Sequence, residues 1–254
     1  MKSAPNWRMS SSTTSSNCLP IARNLLDDGM SHIPAELETH LLDDARRWTG
    51  TRPFVIGIGG PSGVGKSTLA NGIRQLLEHA EYRVLIVGVD DFFKDPRQRE
   101  KLGEWGPDHI RFAELRRVLD LIVAGGEKVV ETMQYRRVPA KALYPWTIVL
   151  DDISVVILEG LYAISNELRL GSLLDVVDLP VFIEAPEEDR KRWRFEQEAA
   201  KPVSKDTEQM EKHWLEGILP DTRNNVMPSR ANARVLVRVD PEHDLHVETS
   251  DPRG

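Results

Sequence analysis

The residues with the clearest chemical role are Gly60–Ser67, which run G-P-S-G-V-G-K-S and fit the pattern G-x-x-x-x-G-K-[ST]. Glycines at this spacing let backbone N–H groups approach an anion closely, and a helix N-terminus behind them adds positive potential. The lysine reaches the β- and γ-phosphates of a nucleotide, and the next hydroxyl ligates Mg²⁺. The residues expected to contact the nucleotide are Gly60, Ser62, Gly63, Val64, Gly65, Lys66, Ser67 and Thr68. The pattern predicts that the chain binds a nucleoside triphosphate.

The surroundings of this motif are those that a phosphate-binding loop (P-loop) requires. Phe54–Ile58, just before it, is a short apolar run of residues that favour strands. Leu69, Ile73 and Leu77 follow it at helical spacing. The motif therefore lies between a strand and a helix, which distinguishes it from an unrelated glycine-rich turn.

Two adjacent carboxylates, Asp90 and Asp91, follow a second apolar run, Tyr82–Val89. At the carboxyl end of a parallel strand such a group lies near the P-loop. A hydroxyl that accepts a phosphoryl group needs a carboxylate to orient it and to take its proton. The residues favour Asp90 for this base and leave Asp91 as the alternative.

A third carboxylate, Glu159, ends the apolar run Ile153–Leu158. A carboxylate at that strand edge can hold Mg²⁺ opposite the hydroxyl of Ser67. A buried glutamate without such a partner would be costly, and this favours a metal-binding role.

Arg190 and Arg194 are four residues apart in a basic segment that follows the apolar run Val181–Ile183. On a helix they share one face, from which they can close over the transferred phosphoryl group as a lid. A solvated helix face, its charge offset by Glu187 and Glu188, is the alternative interpretation.

The motifs of several other nucleotide-binding classes are missing. The sequence lacks the guanine-reading N-K-x-D, the transporter signature L-S-G-G-Q and the helicase box D-E-A-D. These absences favour a kinase, since a kinase builds its acceptor site from scattered residues.

Composition limits the partners. The chain has 254 residues and a formal net charge of −7, so no global basic field would attract nucleic acid. No apolar run approaches the roughly 18 residues that span a membrane. The single cysteine, Cys18, cannot form an internal disulfide, which fits a reducing compartment. We expect a cytoplasmic protein, although the Ser/Thr-rich N-terminus leaves organelle import open, and a homo-oligomer is possible.

Strands that are apolar throughout and alternate with helices indicate a parallel sheet covered on both faces. We therefore expect a three-layer α/β P-loop domain with a mainly parallel sheet and a helical lid. The expected boundaries are a flexible lead-in at 1–30, the P-loop kinase domain at 31–240 and a polar tail at 241–254. Within the domain, a preceding helix is expected at 31–50 and the lid with its helices at about 187–226.

Together these motifs resemble the phosphoribulokinase/uridine kinase family over roughly 52–239. The resemblance rests on Gly60–Thr68, the Asp90-Asp91-Phe92-Phe93-Lys94 segment, Glu159-Gly160-Leu161, the Arg190–Arg194 helix and Pro228-Ser229-Arg230 before a terminal strand. It implies ATP as donor, Mg²⁺ as cofactor and Asp90 as the catalytic base. It also implies an acceptor site that includes Asp91, Phe93, Asp108 and Tyr135.

The acceptor is a small molecule with a hydroxyl group, and uridine or another nucleoside is the first hypothesis. The segment Trp105–Phe112 is similar to one in phosphoribulokinases, so ribulose 5-phosphate is an alternative, as are another polyol and pantothenate. A hypothesis from another class is a nucleotide-dependent regulatory protein without an active acceptor site.

Overall fold

The computed structural model of the chain describes residues 33–102, 105–138, 140–201 and 206–249. The lead-in predicted at 1–30 lies outside the described residues.

A six-stranded sheet forms the centre of the fold, with the strand order β2-β5-β1-β6-β7-β8. Its first five members pair in parallel, and β8 is antiparallel to β7. The strands are β1 (Phe54–Gly59), β2 (Val84–Gly88), β5 (Val155–Glu159), β6 (Leu179–Glu184), β7 (Val235–Val239) and β8 (Leu245–Thr249). A separate antiparallel hairpin consists of β3 (Val129–Arg136) and β4 (Ala142–Val149).

Helices cover both faces of the sheet, which confirms the three-layer α/β prediction. The helices are α1 (Ala35–Arg47), α2 (Lys66–His79), α3 (Pro96–Glu100), α4 (Phe112–Ala124), α5 (Glu187–Ala199), α6 (Thr207–His213) and α7 (Leu219–Asp221). One hydrophobic cluster joins the sheet to α1 and α2, and a second joins its other face to α4. In the described ranges no helix is both long and apolar enough to cross a membrane.

The chain between α6 and β7 has an unusual geometry. Two π-helical turns, Trp214–Ile218 and Thr222–Val226, flank α7, and the 3₁₀ segment Met227–Asn232 follows. Such π turns occur frequently at functional sites. The second of them contributes to the candidate site described below.

The described part of the segment predicted as a polar tail, residues 241–249, contains the strand β8, which extends the sheet. Leu245 and Val247 alternate with polar residues and pack against the same cluster as α1 and α2. This period of two is the pattern of a half-buried strand. This strand was not predicted, because its apolar residues are few.

The β3–β4 hairpin was also not predicted. Val130 and Ile148 are buried in the cluster that contains α4, and the Thr132 hydroxyl donates a hydrogen bond of 2.6 Å to Glu114. The hairpin lies against the segment that follows β2. It therefore brings residues more than 40 positions away in sequence to the acidic end of β2.

An ion pair joins the beginnings of β1 and β6. Arg52 donates two hydrogen bonds to Asp178, at 2.8 and 2.7 Å, and Asp178 also accepts the N–H of Val55 at 2.9 Å. The Asp178 side chain is only 12% exposed, so its removal would leave a cation and a backbone donor without their acceptor.

We expect Asp178→Ala to lower the free energy of unfolding by about 2 to 3 kcal/mol, measured by chemical denaturation. Asp43→Ala is the matched control, since Asp43 makes only exposed contacts with Arg46 and Arg47 at 3.9 and 3.8 Å. The control should lose less than about 0.5 kcal/mol. Equal losses in the two variants would contradict this account of Asp178.

Candidate active site

The P-loop connects β1 to α2, and two of its glycines have backbone conformations that favour glycine. Gly60 has φ 148°, and a Cβ atom there would lie 2.1 Å from the carbonyl oxygen of Ile183. Gly65 caps α2 in the left-handed conformation with φ 88°. The loop thus presents backbone N–H groups at a helix N-terminus, an arrangement that binds phosphate.

Lys66, the first residue of α2, is half-buried, and its Nζ donates to the carbonyl oxygen of Pro61 at 2.8 Å. Burial lowers the pKa of Lys66 to about 8, although the charges of Glu159 and Asp90 oppose this shift. The guanidinium groups of Arg194 and Arg190 lower it further. The ammonium therefore lies among both acids and both lid arginines predicted from the sequence.

Glu159 ends β5, beside the ends of β1 and β2. In the sheet register it lies opposite Ile58 on one side and Gly88 on the other. The Ser67 hydroxyl donates to its Oε1 at 3.0 Å. Burial raises the pKa of Glu159, and the charge of Lys66 acts in the opposite direction.

The pair Ser67–Glu159 is a suitable oxygen donor set for Mg²⁺. The described part of the chain contains no cluster of three or more His, Cys, Asp or Glu residues suited to a metal. Mg²⁺ commonly takes only one or two protein ligands and keeps phosphate oxygens and water for the rest of its octahedron. One hydroxyl and one carboxylate next to a phosphate cradle fit that ion.

Asp90 and Asp91 have different environments in the 3₁₀ segment Val89–Phe92, which follows β2. The Asp90 side chain is 53% exposed and faces Arg137 at 3.4 Å. The Asp91 carboxylate instead accepts the N–H of Gly88 at 3.1 Å and the side-chain amide of Gln134 at 3.0 Å. Burial raises the pKa of Asp91. Asp90 is thus open to a substrate, whereas Asp91 holds the turn and the hairpin together.

The two predicted lid arginines lie on α5 and contact the P-loop at Ser62. Arg194 donates to the Ser62 hydroxyl at 3.0 Å, and Arg190 approaches the Ser62 carbonyl oxygen at 3.4 Å. Arg190 is buried and also donates to the Ala185 carbonyl at 3.2 Å. The arrangement positions both cations beside the phosphate cradle, not on a solvated helix face.

Two of the expected acceptor residues lie in the packed interior. Phe93 is 2% exposed, and its ring lies 5.6 Å from that of Tyr135 and 5.3 Å from that of Trp105. The Tyr135 ring is covered by Arg99, whose guanidinium carbon lies 4.6 Å from the ring centroid. This arrangement leaves little ring surface on Tyr135 for a nucleoside base.

A cavity of about 280 Å³ lies beyond these rings, and Asp108 is exposed at its edge. Its floor includes Asp221, which accepts the hydroxyl of Tyr162 at 2.8 Å and the side-chain amide of Asn225 at 2.7 Å. Burial and the charge of Asp221, with a smaller contribution from Asp90, raise the pKa of Tyr162. The other lining residues are Leu102, Trp105, Gly106, Pro107, Arg169, Pro220, Asn224 and Asn225.

Sequence reasoning gave no role to several residues that surround these groups. Arg137 faces Asp90, and Tyr162, Asp221 and Asn225 form the network under the cavity. The β-branched and aromatic residues of the segment Val129–Arg136 were a usable signal for a strand. No comparable signal identifies the network, because its members come from distant segments.

Comparisons with known proteins define the class. Residues 55–246 match the phosphoribulokinase/uridine kinase family. A pantothenate kinase of Corynebacterium efficiens is 28% identical over 89% of this chain and 76% of its own length. A uridine kinase of Lactobacillus johnsonii is 25% identical over 78% of this chain and 92% of its own. The D-glycerate 3-kinase structure from Cryptococcus neoformans has a TM-score of 0.69 at 17% identity and covers 85% of this chain and 98% of its own.

The chain therefore belongs to the phosphoribulokinase/uridine kinase family of P-loop kinases. It is an enzyme that uses a nucleotide to phosphorylate an alcohol group of a small molecule. The relatives differ in their named substrates, so family membership does not fix the acceptor.

Because Lys66 must be charged to bind phosphate and has a pKa of about 8, affinity for ADP should depend on pH. We expect the Kd to rise about twofold from pH 7 to 8 and then more steeply, approaching a tenfold rise per pH unit near pH 9.5. Isothermal titration calorimetry measures this directly.

Lys66→Arg is the matched variant, since its guanidinium stays protonated across this range. Any affinity that it retains should be nearly independent of pH. If both proteins lost affinity for ADP equally steeply with rising pH, the pH dependence would come from a group other than Lys66.

Proposed function

We propose that the chain transfers the γ-phosphoryl group of ATP to an acceptor hydroxyl at Asp90, with Mg²⁺ as cofactor. The observation that supports this most directly is the convergence of four groups at one edge of the sheet. Lys66, Ser67, Glu159 and Asp90 are linked by hydrogen bonding or by mutual charge effects. They provide phosphate binding, metal binding and a base.

Each group then has a distinct role. Lys66 and the P-loop N–H groups bind the β- and γ-phosphates, and Arg190 and Arg194 stabilise negative charge on the transferred group. Ser67 and Glu159 hold Mg²⁺, which when bound neutralises charge on the phosphate oxygens. Asp90 orients the acceptor hydroxyl and takes its proton as the new P–O bond forms.

We place the acceptor between Asp90 and the 280 Å³ cavity. A nucleoside was the first hypothesis from the sequence, and Tyr135 was among the expected acceptor residues. The cover that Arg99 places over Tyr135 counts against stacking of a base there, whereas a smaller polyol or hydroxy acid requires no open ring face.

The remaining assignments stay predictions. These are the movement of 187–226 as a lid, a possible homo-oligomer, the lack of a nucleic-acid partner and a cytoplasmic location.

Asp90→Asn should lower kcat by about 10² to 10⁴-fold, because the amide cannot take the proton. At pH 6.5, where Lys66 stays charged in both proteins, the Kd for ATP should change less than about threefold, since Asp90 is not part of the phosphate cradle. Turnover is measured as ADP release with Mg²⁺·ATP and a panel of uridine, cytidine, ribulose, ribulose 5-phosphate, pantothenate and glycerate.

Asp91→Asn separates the two carboxylates. We expect it to lower the melting temperature, because Asp91 accepts two hydrogen bonds in a buried setting, and to retain more activity than Asp90→Asn. If the Asp90→Asn protein were more active than the Asp91→Asn protein, Asp91 would be the base and Asp90 the structural residue.

Glu159→Gln removes the charged member of the proposed Mg²⁺ site. The Mg²⁺ concentration that gives half-maximal activity should rise by about tenfold or more. The Kd for ADP without Mg²⁺, measured at pH 6.5 where Lys66 stays charged, should stay within about threefold. An unchanged Mg²⁺ dependence would show that Glu159 does not bind the metal.

A further inference from the structure

Arg99 occupies an unusual position beside the proposed acceptor site. Its guanidinium carbon lies 4.6 Å from the centroid of the Tyr135 ring and 5.1 Å from that of Phe93. Its Nη2 donates to the Tyr135 hydroxyl at 2.7 Å. The two rings and the hydroxyl hold this cation in one place, which lowers the entropic cost of using it to bind a ligand.

The charge of Arg99 has no acidic partner in the described part of the chain. Its buried Nε atom also lacks a hydrogen-bond acceptor there. Other arginines around the site have an acidic partner or donate to backbone carbonyl oxygens. Arg137 faces Asp90, Arg169 pairs with Glu167 at 2.6 Å, and Arg111 donates to the carbonyl oxygens of Phe93 and Met133.

A half-buried guanidinium without an acid loses hydration with little compensation from the protein. The aromatic contacts recover only part of that loss. An anion from outside the chain would supply the rest, and a guanidinium binds carboxylate or phosphate well through paired N–H groups.

The location of Arg99 connects it to the acceptor and not to the nucleotide. Tyr135, its hydroxyl partner, is two residues before Arg137, which faces Asp90. On its other side, the Arg99 guanidinium lies over Phe93, whose ring centroid is 5.3 Å from that of Trp105, a residue that lines the cavity. The phosphate cradle has its own cations, Lys66, Arg190 and Arg194.

We infer that the acceptor carries a negatively charged group, a carboxylate or a phosphate, and that Arg99 binds it while the acceptor hydroxyl lies at Asp90. This inference rests on the proposed function. It makes Arg99 a specificity-determining residue, which favours hydroxy acids and sugar phosphates over neutral polyols and nucleosides.

Matched acceptors test the charge directly. Three pairs share a skeleton and differ at the anionic group: D-glycerate with glycerol, pantothenate with pantothenol, and ribulose 5-phosphate with ribulose. Uridine and cytidine serve as neutral nucleosides. In at least one pair the anion should have a kcat/KM about 10- to 100-fold above that of its neutral partner. The pair whose anion is phosphorylated also shows whether Arg99 binds a carboxylate or a phosphate.

Arg99→Gln should remove most of this difference by raising the KM of the anion about 10-fold or more, with kcat and the KM for ATP little changed. Arg99→Lys should restore part of the preference. Arg97→Gln, an exposed position on the same short helix, is the control and should behave as the unmodified protein. Melting temperatures of all three variants report any loss of folding.

If the enzyme phosphorylated each neutral acceptor with the same kcat/KM as its anionic partner, the inference would be overturned and the proposed function would stand. An Arg99→Gln protein that keeps the full preference for the anion or loses both members of a pair equally would also overturn the inference. Turnover of neither member of any pair, with uridine and cytidine also inactive, would count against the proposed function itself.

Discussion

The charge interaction of the half-buried Lys66 with Glu159 and Asp90 is the one on which the rest of the site depends. Burial lowers its pKa to about 8, and only the nearby charges of Glu159 and Asp90 oppose that shift. Removing either acid would lower the pKa of Lys66 further, so less of the lysine would be charged at neutral pH. In return, the charge of Lys66 opposes the rise in the pKa of Glu159 that burial causes. Phosphate binding, metal binding and proton transfer therefore share one set of mutually stabilising charges.

The parallel sheet makes this arrangement rigid. Glu159 lies opposite Ile58 and Gly88 in the register, so a one-residue slip of β5 would turn its carboxylate to the other face of the sheet. The close approach of Gly60 to the Ile183 carbonyl fixes the P-loop against β6. The site thus depends on packing on both faces of the sheet, far from the nucleotide itself.

Much of this fold was predictable, because strands buried on both faces read as continuous apolar runs and the P-loop has a fixed spacing. The choice between Asp90 and Asp91 was harder, since it depends on the N–H of Gly88 and on Gln134 from an unpredicted hairpin. The contact of Arg99 with Tyr135 was not predictable either. The two residues are 36 positions apart in sequence, and the contact forms only when the hairpin packs beside β2.

The central claim is that the phosphoryl group passes to a hydroxyl held at Asp90, and not to water. Time-resolved ³¹P nuclear magnetic resonance with Mg²⁺·ATP and the active acceptor follows every phosphorus-containing product at once. The account predicts that a phosphate monoester accumulates in equal amount with ADP and that inorganic phosphate stays near the background. Release of inorganic phosphate alone, at a rate independent of any acceptor, would contradict it and identify a nucleotide-hydrolysing regulatory protein.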